Sequence, residues 1–419
     1  MYFYVSIVYL KPSLFIVRKL ISAPKKAFSA LIMRISIIAT AISVAAMVLA
    51  SSFVNGFQQV VANKIFSFWG HIRVEHYEPI RSTNAEAALI KKNDSLKQFL
   101  QSDPRVESVS SFVTHSAVLS ANNTIEGIVI KGVADDYPAS NIQQYIRKGM
   151  VPNWNDSITQ DQILLSSYTA NQLKLSVGNE LIVYFISKNT DMPKVRKMKI
   201  AGIFNTGIDI YDQSYAIASQ NYLNSVNQLS KDDINGYEIT LKKTSSLDET
   251  ANAIFPLLPV GWNAITLKEL SPEIFDWLAL QDTNKYIFMG LMLVVAIINL
   301  ISCLIILLLE RTNMIAVLKS FGATDSLIRN IFVMYGSWIA GIGIIAGGLA
   351  GISLCLLQQK WPFIRLNEEV YYVSTAPVQM EWIQIMAIIF GTLIITMMVL
   401  LIPAAVGKKL NISKTLQFK

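Results

Sequence analysis

Only a few residues of this chain have the types and spacing that catalysis or metal binding requires, and none of them forms a recognisable site. The three histidines, His71, His76 and His115, lie in the polar middle of the chain without the spacing of metal ligands, so strand or surface histidines are the better interpretation. The two cysteines, Cys303 and Cys355, fall inside apolar runs and predict neither a disulfide framework nor a metal site. The sequence has no G-x-x-x-x-G-K-[ST] motif, so we expect that the chain does not hydrolyse ATP itself. The chemistry to look for is therefore binding.

Three glycines in one apolar run have a regular spacing: Gly343, Gly347 and Gly351 lie four residues apart. A dinucleotide-binding loop would need a preceding strand and a βαβ context, and an apolar run supplies neither. Glycines four apart line one face of a helix and allow a neighbouring helix to approach closely. We therefore predict a helix-packing face.

Four long uncharged runs carry these residues and identify the chain as an integral membrane protein. The 419 residues are 52% hydrophobic and 16% charged, with a mean hydropathy of +0.41. Each run is long enough for a helix to cross the hydrocarbon core of a bilayer. The formal charge of +7 could suggest a nucleic-acid partner, but the basic residues flank the apolar runs, so we interpret them as topology signals and expect no nucleic acid to bind.

The basic residues predict that both termini are cytoplasmic, because lysine and arginine are enriched on that side of spans. Five precede the first span and four follow the last: Arg18, Lys19, Lys25, Lys26, Arg34, and then Lys408, Lys409, Lys414, Lys419. With four spans, the link between the second and third falls inside. The region between the first and second, including Asn235, falls outside.

The predicted fold class is an α-helical membrane protein with four transmembrane helices and a large α+β extracytoplasmic domain inserted between helices 1 and 2. Strand-like and helix-like runs in that domain suggest two βαβ-type halves with a β-rich insertion between them. The predicted segments are a cytoplasmic amphipathic segment (1–34), helix 1 (35–56), the domain (57–285), helix 2 (286–309), a cytoplasmic link (310–329), helix 3 (330–357), an outer loop (358–381), helix 4 (382–406) and a cytoplasmic tail (407–419).

The link between the second and third spans is short, charged and helix-prone. Ile315, Leu318 and Phe321 share one helical face by spacing, and Gly322 offers a helix stop. From the residues alone, an amphipathic helix at the membrane surface and an ordinary tight hairpin are about equally good interpretations.

The sequence of this link, ERTNMIAVLKSFGA, resembles the E-[KR]-x-x-[ED]-I-A-[IV]-L-[KR]-x-x-G-A signature of the FtsX/MacB-type ABC transporter permease family. The resemblance implies that the link is the coupling helix that docks on a cytoplasmic ATPase. Met314 stands where the family signature has an acidic residue, which removes one charge from that contact. The implied coupling residues are Glu310, Arg311, Met314, Ile315, Leu318, Lys319, Phe321 and Gly322.

Other motifs resemble the LolC/LolE subunits of the lipoprotein-releasing system within that family. They are Phe15–Lys19, Val54–Phe57, Leu164–Asn179, Trp277–Gln281 and Ile402–Ala404. By position, the hairpin with Met192, Pro193 and Lys194 corresponds to a carrier-binding hook, although a plain turn is the better interpretation because the hairpin is short.

The resemblance implies a non-catalytic permease subunit that transmits the motion of a separate ATPase to a periplasmic domain and so releases lipoproteins from the inner membrane to a periplasmic carrier. Its implied partners are an ATPase dimer that binds ATP and Mg²⁺, a second permease, identical or paralogous, a lipoprotein and its carrier. This chain itself is expected to bind no cofactor and no metal. The alternatives are a MacB-like exporter of peptides or drugs with a separate ATPase, and an FtsX-like regulator of cell-wall hydrolases.

Overall fold

The computed structural model of the chain describes residues 13–21, 27–77, 88–154, 156, 159–186, 192–367 and 373–406. They form two compact units. The membrane unit contains the helices up to Gln58, residues Leu278–Arg365 and the chain from Thr375, and the α/β unit contains Gln59–Trp277 with Leu366–Ser374. The prediction of four apolar helices and an α/β domain is confirmed.

The helices, in chain order, are α1 (residues 13–21), α2 (Ala27–Trp69), α3 (Asp94–Ser102), α4 (Ser140–Gln143), α5 (Ser167–Gln172), α6 (Asp209–Ser214), α7 (Gln220–Asn227), α8 (Leu247–Ile254), α9 (Leu267–Leu270), α10 (Pro272–Glu310), α11 (Thr312–Ser320), α12 (Asp325–Lys360) and α13 (Trp382–Val406). The strands are β1 (Ile72–His76), β2 (Ile90–Lys91), β3 (Val106–Ala121), β4 (Thr124–Val133), β5 (Ile146–Gly149), β6 (Gln162–Ser166), β7 (Glu180–Phe185), β8 (Lys194–Phe204), β9 (Tyr215–Ser219), β10 (Asp233–Ile234), β11 (Gly236–Leu241) and β12 (Trp262–Thr266).

Four helices, α2, α10, α12 and α13, are long and apolar enough to cross a membrane. Two of them extend well past the predicted spans, because their polar flanks contain no helix breaker. Helix α2 ends only before Gly70, which has φ of +72°. Helix α10 begins at Pro272, because proline is tolerated at the first position of a helix.

The link is shorter than the predicted range 310–329. Helix α12 already begins at Asp325, because the Thr324 hydroxyl accepts the Leu327 N–H at 3.3 Å and caps the helix. The link therefore consists of α11 and the few residues on either side of it.

The short helix α1 is amphipathic, as the sequence predicted for this region. Val17 and Leu20 pack into the core of the membrane unit, whereas Arg18 and Lys19 are exposed. Three parts of the predicted segments lie outside the described residues: 1–12 and 22–26 of the N-terminal segment, the tail 407–419 with its lysines, and the hairpin tip 187–191.

The α/β unit contains the two predicted halves, but the strands within each half do not lie side by side. In β1–α3–β3, strand β11 separates β1 from β3, and in β11–α8–β12, strand β1 separates β11 from β12. In the sheet order β12-β1-β11-β3, strands of one half alternate with strands of the other, and neighbouring strands are antiparallel. Local sequence patterns do not show which distant strands pair.

The β-rich insertion is a closed ring of six strands. Strand pairs run from β3 to β4, β9, β6, β8 and β7 and return to β3, whose first half belongs to the interleaved sheet. Alternate residues of these strands fill the interior, and Leu119, Ile130, Val183 and Ile200 are all fully buried. The closure explains how a small insertion buries a core of its own.

Two of the three histidines are buried in this unit. His71 stacks on Phe66 with ring centroids 4.2 Å apart, and its Nδ1 accepts the Leu241 N–H at 3.2 Å. His115 lies on β3 and is buried. Desolvation lowers the pKa of each histidine from 6.5 to about 4. Both are therefore neutral in the folded protein at pH 7.

We expect the α/β unit to lose stability as the pH falls from 6.5 towards 4. In that window the unfolded chain binds protons at His71 and His115 that the folded chain does not, so stability falls with pH, by up to about 3 kcal/mol for each histidine. The measurement is the thermal unfolding midpoint of the detergent-purified chain at pH 7.5 and pH 4.5. The double variant His71→Gln/His115→Gln should lose less on acidification than wild type, and an equal loss would contradict the assignment.

Candidate functional site

The link between α10 and α12 is the segment that the sequence singled out, and the structure shows how it is built. Helix α10 ends at Glu310, and the Thr312 hydroxyl donates to the Leu309 carbonyl at the break. Helix α11 ends in a Schellman motif: the Gly322 N–H bonds the Lys319 carbonyl at 2.9 Å, and the Ala323 N–H bonds the Leu318 carbonyl at 3.0 Å. Gly322 has φ of +82°, which is the helix stop predicted for it.

The inward face of α11 packs on the membrane unit itself. Ile315 is 2% exposed and lies in a cluster with Leu308, Ile328 and Phe332. Met314 and Leu318 are half-buried against the same unit. Ile315, which the resemblance implies as a coupling residue, therefore fastens α11 to its own spans.

The outward face of α11 carries different residues. Phe321 is 85% exposed and Val317 is 51% exposed, and the polar residues Asn313 and Ser320 are exposed beside them. We call Val317 and Phe321 the outer apolar pair. Spacing alone did not identify Val317, because the sequence does not show which side of the helix meets the core.

Lys319, one of the implied coupling residues, is held within the link. Its ammonium pairs with the Asp325 carboxylate at 3.1 Å, and its side chain is largely buried. Asp325 is the first residue of α12, where a negative charge is favourable. Lys319 therefore helps to fix the angle between α11 and α12. Glu310 and Arg311, at the other end of the link, are half-buried.

The glycine face of α12 lies directly against α2. A Cβ atom on Gly343, Gly347 or Gly351 would stand 2.8 Å from Thr40 Cβ, 2.4 Å from the Ala41 carbonyl oxygen and 2.9 Å from Val48 Cβ, respectively. Only glycine permits these approaches, since real Cβ contacts are longer.

Asn299 lies in the apolar part of α10, and its amide donates to the backbone oxygen of Ser36 at 3.1 Å and to its hydroxyl at 3.2 Å. This is a hydrogen bond between two helices. It fixes α10 against α2.

A polar junction that the sequence did not reveal joins three of the membrane helices. The Lys285 ammonium, which is buried, contacts Asn55 Oδ1 at 3.0 Å and Asp282 Oδ1 at 2.7 Å. Asn55 Nδ2 in turn donates to Gln384 Oε1 at 2.8 Å, as does the Ser51 hydroxyl at 3.0 Å. Helices α2, α10 and α13 thus meet through charge-assisted hydrogen bonds.

Gly56, next to this junction, packs on the backbone that leads into α13. A Cβ atom there would stand 2.6 Å from the Pro377 carbonyl oxygen. Asn55 therefore supplies a hydrogen bond to Gln384, and Gly56 leaves the space that the Pro377 backbone occupies.

In the α/β unit, the last turn of α2 is held by a buried cluster that we call the helix-end cluster, consisting of Lys131, Tyr137 and Glu238. The Lys131 ammonium donates to the Phe68 carbonyl and to Glu238 Oε2, the latter at 2.9 Å. The Tyr137 hydroxyl donates to the Ser67 carbonyl at 2.9 Å. These bonds satisfy carbonyl groups that a helix leaves unpaired at its end.

The helix-end cluster is also an electrostatic unit. Lys131 is 1% exposed, and its ammonium lies 4.4 Å from the ring centroid of Trp69. Desolvation lowers the pKa of Lys131 to about 8 and raises that of Glu238, while the opposite charge of each partner counteracts the shift. The two groups lie 2.8 Å apart, so each is the other's main electrostatic partner.

The hairpin that corresponds by position to a carrier-binding hook, and for which a plain turn was the better interpretation, is only partly described. Met192 is 81% exposed, Pro193 is exposed and Lys194 begins β8. Among the described residues there is no group of three or more histidine, cysteine or carboxylate side chains that could hold a metal ion.

Comparison with known proteins covers both units. The profile of the MacB-like periplasmic core domain matches residues 34–256, and the profile of the FtsX-like permease C-terminal domain matches residues 286–412. The lipoprotein-releasing system transmembrane protein LolE of Haemophilus influenzae is 26% identical over 94% of this chain and 95% of its own length. The corresponding LolC proteins are 20% identical in Xylella fastidiosa (94% and 96% covered) and 24% identical in Buchnera aphidicola (87% and 90% covered).

Replacing Gly347 with leucine should separate α12 from α2 and destabilise the membrane unit by about 1–3 kcal/mol, because the new side chain has no space beside Ala41. The matched control is Gly341→Leu on the same helix, where a Cβ atom meets nothing within 4 Å in this chain. The measurement is the yield and thermal midpoint of the purified protein. Equal behaviour of the two variants would show that the glycine face does not need close contact.

Replacing Lys131 with methionine should cost about 3–5 kcal/mol, because it leaves the Glu238 carboxylate buried without its partner. The double variant Lys131→Met/Glu238→Leu should recover part of that loss, since it removes both charges. Thermal unfolding of the three variants and wild type gives the coupling energy. Additive losses would show that the pair does not act as a unit.

Proposed function

The chain belongs to the family of FtsX-like ABC transporter permeases with a MacB-like periplasmic core domain, and on that premise we propose that it passes ATP-driven motion of a separate ATPase to its periplasmic domain in order to release lipoproteins from the inner membrane. The support for lipoprotein release is similarity over nearly the full length to proteins named LolE and LolC. A permease of this kind is a membrane subunit without a catalytic site of its own.

The partners follow from the same proposal. A cytoplasmic ATPase dimer would bind ATP and Mg²⁺, a second permease would complete the membrane part, and a periplasmic carrier would take up the released lipoprotein. Both termini and α11 would then face the cytoplasm, which agrees with the basic residues on either side of the spans.

The observation that carries the coupling role is the outer apolar pair on α11. A large aromatic side chain that is 85% exposed at the end of a short helix is a suitable anchor for a groove on another protein. The inner face of the same helix is fastened by Ile315, and the Lys319–Asp325 pair fixes its end. A push on α11 would therefore reach α10 and α12 without being absorbed by the link.

Replacing Phe321 with aspartate should weaken ATPase binding by about 2 kcal/mol or more, roughly thirtyfold, because the anchor is lost and a charge enters an apolar groove. The matched control is Asn313→Asp, which adds the same charge to an exposed polar position of α11. Leu318→Asp is less informative, since Leu318 is half-buried and its loss also disturbs the membrane unit.

The measurement is co-purification of the ATPase with each correctly inserted variant, together with ATP turnover of the complex. We expect wild type and Asn313→Asp to retain both properties and Phe321→Asp to lose both. If Phe321→Asp retains both, α11 is only a hairpin between two spans and the coupling proposal is wrong.

A further inference from the structure

The outermost strand of the interleaved sheet, β12, has backbone groups that point away from the protein. Leu267 N–H bonds the His71 carbonyl at 3.1 Å, and Tyr77 N–H bonds the Gly261 carbonyl at 2.7 Å, which fixes the hydrogen-bonded pairs of the antiparallel β1–β12 ladder. In such a ladder alternate residues face the partner strand. The backbone groups of Trp262, Ala264 and Thr266 therefore face outward.

Some of these outward backbone groups already form hydrogen bonds within the chain. The Trp262 N–H bonds the Pro259 carbonyl at 3.1 Å, and the Thr266 N–H bonds the Glu269 carboxylate at 3.0 Å in a capping box. Within the part of the chain that the structure describes, no bond is made by the N–H or the carbonyl of Ala264. Ala264 thus presents one donor and one acceptor, which is what an added strand needs from one residue of a hydrogen-bonded pair.

Within the described residues, β12 lacks three of the devices that usually protect an edge against a further strand. The sequence of β12, Trp-Asn-Ala-Ile-Thr, contains no proline and no lysine, and its register with β1 runs without a bulge. Proteins generally blunt exposed edges with these devices. An unprotected edge of this length is therefore a candidate binding surface for an extended peptide.

A groove runs beside the edge. Helix α8 and the turn after it contribute Asp248, Ala251, Asn252 and Phe255, which lie on one helical face, and β12 forms the other wall of a cavity of about 610 Å³. Phe255 is half-exposed in the groove. An edge strand beside a helix is the arrangement in which domains bind peptides by strand addition, with backbone bonds for affinity and a side-chain groove for selection.

The groove has a defined orientation within the α/β unit. Its Thr266 end lies next to the last turn of α2 and the first turns of α10, because Leu267 bonds His71 there and the Phe66 and Phe275 rings are 5.8 Å apart. These are the two helices that contain the first and second spans. On the proposed function, the polypeptide that this groove would bind belongs to a lipid-anchored cargo.

We propose that β12 and α8 bind the extended tether of a lipid-anchored cargo protein as an added β-strand that pairs with Ala264. The inference rests on the proposed function and names the part of the cargo that is held: the unfolded stretch between the lipid and the folded domain. In strand addition the affinity comes mainly from hydrogen bonds to the peptide backbone, so one groove can bind tethers of different sequence. Small or apolar side chains on alternate tether residues fit against Ala251 and Phe255.

The first test uses hydrogen exchange in the complete permease–ATPase complex. The probe is a synthetic lipopeptide with a diacylated N-terminal cysteine and about ten further residues. Bound lipopeptide should slow exchange of the Ala264 amide at least about tenfold, the equivalent of one hydrogen bond of about 1.4 kcal/mol. Unchanged exchange while the lipopeptide is bound overturns the proposal. Protection of Ala264 before the lipopeptide is added also overturns it, since the edge then belongs to the second permease.

The second test uses two matched pairs of variants and a photoreactive version of the same lipopeptide. Ala264→Pro removes the outward N–H while leaving the ladder to β1 intact, and Ala264→Gly keeps that N–H. Asn252→Trp fills the groove from α8, and Asn252→Ser leaves it open. We expect crosslinking to residues 248–266 to fall at least about tenfold in Ala264→Pro and Asn252→Trp. It should persist in the control variants Ala264→Gly and Asn252→Ser.

ATP turnover separates this inference from the proposed function. Ala264→Pro and Asn252→Trp should retain ATPase binding and turnover, because neither residue lies on α11. If Ala264→Pro fails to fold, Asn252→Trp still decides the outcome. Equal crosslinking in all four variants means that the tether is not held here, even when the complex hydrolyses ATP normally. Failure of the wild-type chain to bind any ATPase would instead contradict the proposed function.

Discussion

A helix that continues beyond the membrane must end somewhere, and its last carbonyl groups then lack partners in a following turn. Helix α2 ends at Trp69 within the α/β unit, where water cannot supply those partners. The ammonium of Lys131 and the phenol of Tyr137 bond the carbonyls of Phe68 and Ser67 instead. The positive charge also suits the negative end of the helix dipole, and Glu238 keeps that charge stable in a buried place. The cluster is therefore a consequence of where the helix ends, and β1 starts directly after it.

The last carbonyl groups of α11 bond backbone N–H groups instead. Its Schellman motif uses backbone groups and one left-handed glycine, so no side chain is required to finish the helix. Phe321, the residue before that glycine, is then free to point outward. An end closed by side chains becomes part of a core, whereas an end closed by glycine leaves a surface that another protein can contact. The end of α2 thus belongs to the core of the α/β unit, and the end of α11 leaves exposed the surface for which docking is proposed.

The sequence predicted what depends on local pattern. The uncharged runs identified four spans, the glycine spacing predicted a packing face, and Gly322 predicted the end of α11. The sequence missed what depends on distant partners. Lys131 and Lys285 look like ordinary solvated lysines until one distant partner of each is known: Glu238, 107 positions from Lys131, and Asn55, 230 positions from Lys285. The ring of strands closes through β3 and β7, a pairing that no local signal contains. The inward position of Ile315 was missed for a related reason, because periodicity shows which residues share a face but not which face meets the core.

The polar side chains of the spans also bear on how such a protein could work. Asn299 bonds Ser36 on a neighbouring helix, and Asn55 bonds both Gln384 and Lys285. Amide and ammonium groups that are committed to contacts between helices cannot also line a hydrophilic path for a solute. In an apolar surrounding these bonds hold the helices at fixed positions, and the glycine face of α12 does the same by close contact. A bundle fixed in this way moves as a body. If α11 docks on an ATPase as proposed, work done on it would displace these helices together, which suits the proposed extraction of a lipoprotein better than the passage of a solute through the bilayer.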